Sequence, residues 1–230
     1  MEILYEDNHI IVVQKPQNVL SQSDVTGDKD MLTQIKEYIK EEYNKPGNVY
    51  VGLVHRLDRP TGGVMVFAKT SKAASRLSEQ IKGDDFRKKY LCVLSAHPRV
   101  KQGKLVHFLQ KDAKTNNVKI VPQSQVGAKR AELEYEVIAE RDELSLVKVG
   151  LETGRSHQIR VQMASIKAPI FGDHRYGANG LGEGFNLALW AVELSFLHPV
   201  TKERLTFRSM PPVDSIPWKY FDIEKFVNEA

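Results

Sequence analysis

The stretch Gly62 to Thr70, GGVMVFAKT, constrains the fold more than any other part of the chain. Its apolar run is continuous and short, the pattern of a fully buried strand. Pro60-Thr61-Gly62-Gly63 precedes it and supplies turn chemistry. Such a strand needs neighbours, and the sequence offers many. EILYE and HIIVVQK flank Asp7-Asn8 and predict a hairpin. KYLCVLSA, LVHFLQK, NVKIV, AELEYEVIAE and LSLVKVGLE predict further strands, and ALWAVELSFLHP with ERLTFRS predicts a closing pair. LEYEVI alternates apolar and polar, so one of its faces is expected to be wet.

Helical spacing is rarer. Met31, Leu32, Ile35, Tyr38 and Ile39 mark one helix; Ala74, Leu77 and Ile81 mark a second, with Thr70 or Ser71 as its N-cap. Ile159, Met163 and Ile166 mark a third in SHQIRVQMASI, with Thr153 and Ser156 as cap candidates and Arg155 and His157 in its first turn. Few connections are long enough for parallel crossovers. The expectation is an α+β fold: a mixed, mostly antiparallel sheet flanked by a few helices and loops. No internal repeat divides the 230 residues, so residues 1–230 are expected to form one domain. The glycine-rich stretch from Gly177 to Asn186 reads as a surface loop.

Composition excludes several classes. Cys92 is the single cysteine, so neither an intrachain disulfide nor a cysteine-based zinc site can form. The start, MEILYEDNHIIVV, lacks the features of a signal peptide, and no apolar run approaches the roughly 20 residues of a bilayer span. A cytoplasmic address is the default expectation. The net charge of +4 permits a nucleic-acid partner without requiring one.

Three clusters carry chemistry. In HRLDRPTGG, Asp58 is an acid set between Arg56 and Arg59. Cationic neighbours favour an ionised carboxylate, suited to act as nucleophile, base or electrostatic stabiliser and unsuited to act as general acid. A turn former with solvated arginines is the plainer alternative. LETGRSHQIRVQ places Arg155, His157 and Arg160 near a helix start, where an anion can bind, unless these are a solvent-facing arginine and a structural histidine. FRKKYLCV opens an apolar strand with Tyr90, a packing residue or, beside an active site, one that stacks on a base or moves a proton.

HRLDRPTGGVMVFAKT, KKYLCVL and TGRSHQIRVQ, in that order and at these separations, resemble the RluA family of pseudouridine synthases. ILYEDNHIIVVQKP, PIFGDHRYG and LSFLHPVTKE extend the resemblance from about residue 2 to about residue 213. It implies isomerisation of uridine to pseudouridine in RNA, ribosomal or transfer, without cofactor or metal. Asp58 matches the catalytic aspartate. Arg56 matches an arginine that takes the place of the flipped base. Tyr90 matches the active-site tyrosine, and Arg160 matches the basic residue paired with the aspartate. Arg59, Arg155, His157, Lys88, Lys129 and Arg130 are further candidates for RNA contact. Gln14, Leu133, Gln162, Trp190 and Lys202 depart from residues common in the family and leave the Asp–Tyr–Arg set intact. The chain begins almost at its first strand, so no additional N-terminal S4-type RNA-binding domain is expected, and a monomer is the default state. Two other functions compete: an RNA-binding or RNA-folding protein without essential catalysis, and a hydrolase acting on a nucleoside-type bond. The latter needs a leaving-group acid that the sequence does not offer.

Overall fold

The computed structural model describes residues 1–177 and 182–228. Ala178 to Leu181, in the expected glycine-rich loop, lie outside the described residues. Strands β1 (Glu2–Glu6), β2 (Ile10–Lys15), β3 (Gly52–Leu53), β4 (Gly62–Ala68), β5 (Arg87–Leu94), β6 (Gln102–Lys111), β7 (Val118–Ile120), β8 (Lys129–Arg141), β9 (Leu144–Leu151), β10 (Leu189–Leu197) and β11 (Arg204–Arg208) dominate. Helices α1 (Met31–Glu42), α2 (Ser71–Lys82), α3 (Gln158–Ser165) and α4 (Ile223–Asn228) complete an α+β fold. The chain divides into two compact units: Met1–Lys88 with Ala191–Ser209, and Lys89–Trp190 with the residues from Met210 onward.

In the first unit the strand order is β1-β2-β4-β10, with β3 beside β4 and β11 beside β10. The expected hairpin forms at Asp7: its Oδ1 accepts the N–H groups of His9 (2.7 Å) and Ile10 (2.8 Å). β2 and β4 pair antiparallel, Val12 opposite Val66 and Val13 opposite Met65. Period-two alternation sends Ile10, Val12, Val64, Val66 and Ala68 into one cluster with Ala73 and Leu77 of α2. The alternate set, Ile11, Val13, Met65 and Phe67, is fully buried as well. Apolar cover on both faces explains the unbroken run in the sequence. At roughly 25 cal/mol per Å² of apolar surface, this burial is a leading stabilising term for the unit. The Thr70 hydroxyl accepts the Ala73 N–H at 3.1 Å and starts α2, as expected; Asp30 does the same for α1.

The second unit has the order β5-β9-β8-β6-β7, antiparallel at every pairing. β8 is its long central strand, with Leu133 and Tyr135 buried and Glu134 and Glu136 exposed, the alternation seen in LEYEVI. Its third helix departs from expectation. α3 begins at Gln158, and His157, with φ of 51°, occupies the N-cap without a capping side-chain bond. Arg155 therefore precedes the helix and is not in its first turn. Thr153 does not cap the helix; its hydroxyl accepts the Glu132 N–H and donates to Gln158 Oε1. Every residue from Gln158 to Met163 is buried, so the helix has no wet face over that span. The buried polar side chains find acceptors on other elements: Gln158 Nε2 donates to Glu132 O, Gln162 Nε2 to Leu105 O, and Arg160 to Asp173, while Gln162 Oε1 has no hydrogen-bond partner among the described residues.

Gly63 is the conformational constraint at the mouth of β4. Its φ is +123°, and a Cβ there would collide with the backbone of Ala191. Gly63→Ala is expected to cost about 3 kcal/mol or more, read as a lower urea midpoint at unchanged slope.

Candidate active site

The segment carrying Asp58 is held by the chain that follows β2. Ser21 Oγ donates to Leu57 O at 2.8 Å and accepts the Leu57 N–H at 3.2 Å. Gln17 Nε2 donates to Pro60 O at 3.1 Å. Lys15 lies at the centre, fully buried, and its ammonium donates to Pro16 O (3.0 Å), Val19 O (2.6 Å) and Arg59 O (3.1 Å). Three acceptors match the three donors of an ammonium. Burial lowers the Lys15 pKa to about 7, and the negative charge of Asp58 acts against that fall. The backbone on either side of Asp58 is thus fixed by residues 15–21.

The other members of HRLDR divide into anchor and surface. His55 Nε2 accepts the Val66 N–H at 3.1 Å, and its ring meets Phe86 edge-on with centroids 5.2 Å apart. Burial pushes its pKa down to about 3, so the imidazole is neutral and locks the segment to β4. Arg59 Nε donates to Asn18 O, and its Nη2 pairs with Asp28 at 2.8 Å. Arg56 is exposed and makes no hydrogen bond or ion pair among the described residues.

In the second unit Tyr90 lies buried on β5, opposite Val149 of β9. Arg160 makes a fork-to-fork bond with Asp173: Nε to Oδ2 at 2.9 Å and Nη2 to Oδ1 at 2.7 Å, both side chains buried. Burial raises the Asp173 pKa, but Arg160 and the N–H groups of Arg175 and Tyr176 outweigh it and hold the carboxyl below its ordinary 3.8. Arg160 and His157 come together at Tyr176. The guanidinium carbon of Arg160 lies 5.1 Å from the Tyr176 ring centroid, and His157 Nδ1 is 2.7 Å from its hydroxyl. Arg155 is exposed, its Nε donating to Arg130 O at 2.9 Å. Arg130 in turn pairs with Glu132. Burial lowers the pKa of Lys88, which lies over the Phe86 ring.

Each arrangement fixes a charged group in place before any substrate arrives. The first holds a carboxylate near a cation, which suits attack, base catalysis or charge stabilisation. The second holds a guanidinium by its edge. Among the described residues no group of three His, Cys, Asp or Glu side chains is placed to hold a metal. Sequence reasoning missed Lys15, Asp173 and Tyr176. The available signals were a lysine at the polar end of an apolar strand, and an acid and a tyrosine bounded by glycines in GDHRYG.

Comparison with known proteins is consistent in kind. The family described as RNA pseudouridylate synthase matches residues 9–165. Ribosomal large subunit pseudouridine synthase D of Zymomonas mobilis subsp. mobilis is 31% identical over 224 residues, which span 93% of this chain and 70% of that protein. The uncharacterized RNA pseudouridine synthase YhcT of Bacillus subtilis is 32% identical, with the same shares covered. Among solved structures, human RNA Pseudouridylate Synthase Domain Containing 4 has the same fold, with a TM-score of 0.76 and 22% identity over 92% of this chain and 88% of that one.

The buried pair yields a test. Asp173→Asn strands the Arg160 guanidinium and is expected to cost about 3–5 kcal/mol at pH 7. Because the folded carboxyl titrates below 3.8, its contribution is complete above that value and is lost as pH falls through the lowered folded value. Urea unfolding should therefore show the gap between wild type and Asp173→Asn closing in acid below pH 3.8.

Proposed function

The chain belongs to the RNA pseudouridylate synthase family, and from that premise we propose that Asp58 is the carboxylate that rearranges the glycosidic bond. It is an RNA pseudouridine synthase, an isomerase that moves uracil from an N1 to a C5 linkage on the same ribose. The observation that carries the assignment of Asp58 is the clamp around it. Ser21, Gln17 and Lys15 hold the backbone of Leu57, Arg59 and Pro60, so the carboxylate needs little reorganisation to act. Asp58 attacks C6 of the base, attacks C1′, or takes the C2′ proton to give a glycal; all three routes use one carboxylate.

The remaining roles follow the family resemblance. Arg56 fills the gap left by the flipped uracil, stacking its planar guanidinium on the neighbouring bases. Its exposure, with no hydrogen bond or ion pair among the described residues, suits that task, whereas Arg59 is engaged by Asp28 and Asn18. Tyr90 contacts the target base and is the candidate acceptor of the C5 proton. Arg160 takes the part of the family's basic catalytic residue, held in direction by Asp173. Arg155 and His157 assist RNA binding. One catalytic domain spans residues 1–230, a reading supported by a family match that runs unbroken through residues of both units. The enzyme works as a cytoplasmic monomer on ribosomal or transfer RNA. The name of the Zymomonas relative favours ribosomal RNA.

The experiment is a pseudouridine map of cellular RNA with the gene present, deleted, or carrying Asp58→Asn. Specific sites should vanish in both the deletion and the variant, while purified Asp58→Asn still binds RNA. An unchanged map would remove Asp58 from the chemistry, and free uracil in place of pseudouridine would make the protein a hydrolase. Lys15→Met leaves three buried carbonyls without their donor. It should lower kcat about 100-fold in single-turnover assays with RNA affinity changed less than about threefold.

A further inference from the structure

The turn after Asp173 ties the second unit's arginine to a distant piece of chain. Gly177 N–H donates to Asp173 O at 2.8 Å and closes the turn, and Asp173 Oδ1 accepts from Arg160, from Arg175 N (3.0 Å) and from Tyr176 N (3.1 Å). Two side chains of the same turn reach the β6–β7 hairpin. Arg175 Nη1 donates to Thr115 O (3.1 Å) and to Asn117 Oδ1 (2.6 Å). The Tyr176 hydroxyl accepts the Val118 N–H at 2.9 Å. The same hydroxyl lies 2.7 Å from His157 Nδ1, within hydrogen-bond distance. The Tyr176 ring packs on Leu109 and Val118 of the hairpin, Ala131 of β8 and Val161 of α3.

The hairpin tip is tied by its own hydrogen bonds and carries basic side chains. Asp112 Oδ1 accepts the N–H groups of Lys114 and Thr115, and Asp112 N–H donates to Asn117 O. Lys111, Lys114 and Lys119 are exposed around this tip. A solvated charged tip needs no support from the buried interior. This one is joined to the Arg160 pair by hydrogen bonds from two consecutive residues, Arg175 and Tyr176.

We propose that the β6–β7 hairpin is a phosphate-gripping arm whose contact with RNA sets the position of Arg160, with Tyr176 as the positioning residue that transmits it. The inference rests on the catalytic role given to Arg160 above. RNA phosphates bound by Lys114 and Lys119 restrain the hairpin tip, and the Arg175 and Tyr176 bonds pass that restraint to the turn that holds Asp173. Correct RNA is thereby favoured in the rate of the chemical step as well as in affinity.

The test is a cycle measured in single turnover at saturating RNA, on a transcript spanning a uridine found by the map. Tyr176→Phe keeps the ring and deletes the hydroxyl; it should slow the step about tenfold with Kd for RNA within about twofold of wild type. Lys114→Ala with Lys119→Ala should weaken binding and slow the saturated step, and that second effect should disappear in the Tyr176→Phe background. Should Tyr176→Phe fold poorly, Asn117→Ala removes the side-chain acceptor of Arg175 and should give the same loss of coupling. A saturated rate unaffected by Tyr176→Phe, or effects that simply multiply, would overturn the proposal. Arg160→Ala separates the two readings. If it is inactive while Tyr176→Phe is normal, only the coupling fails; if it is active, the role of Arg160 fails and the coupling falls with it.

Discussion

A lysine ammonium buried among three backbone carbonyls is the constraint on which the candidate chemistry of the first unit depends. A charge removed from water is tolerable when every donor is met, and Lys15 meets Pro16, Val19 and Arg59. Through Arg59, 44 residues away in sequence, it fixes the backbone next to Asp58. Gln17 and Ser21 add their bonds to Pro60 and Leu57, and His55 anchors the start of the segment to Val66. The buried strand β4 underlies all of this, because Gly63 admits the close approach of Ala191 that follows the turn.

The second unit solves the same problem with the signs exchanged. Its buried anion, Asp173, is met by the fork of Arg160 and by two N–H groups of its own turn. The result is an arginine whose direction is set by hydrogen bonds, at a cost to stability if either partner is removed. Preorganisation of this kind suits a reaction in which a base must be detached, turned and rejoined without release. It also explains why a helix with polar residues at several positions is buried from Gln158 to Met163: each polar side chain is answered from another element.

Charge alone was a poor guide to which basic side chains the fold engages. Arg56 and Arg59 are near neighbours in the sequence, yet Arg59 is bound to Asp28 and Asn18 and Arg56 is not. Arg155 is likewise engaged, donating to the Arg130 carbonyl, and Arg130 pairs with Glu132. Lys202 shows the same limit for backbone. It replaces a glycine common in the family and still takes a φ of 66°, a strain that composition does not reveal.

The sequence by itself determined the elements whose signals are local. The unbroken GGVMVFA run specified a buried strand, Asp7-Asn8 a hairpin, Thr70 the start of α2, and LEYEVI a half-exposed strand. Ordered motifs along most of the chain were enough to identify the family. Tertiary structure decided the partners. Asp173 lies 13 residues from Arg160, and Lys15 lies 44 from Arg59. No periodicity joins such residues; they meet because folding brings separate turns and strands together, and a buried charge must then find its complement there. The start of α3 was decided in the same way. Thr153 and Ser156 are both sound caps by residue type, but Thr153 spends its hydroxyl on Glu132 and Gln158, and the helix begins after a left-handed His157.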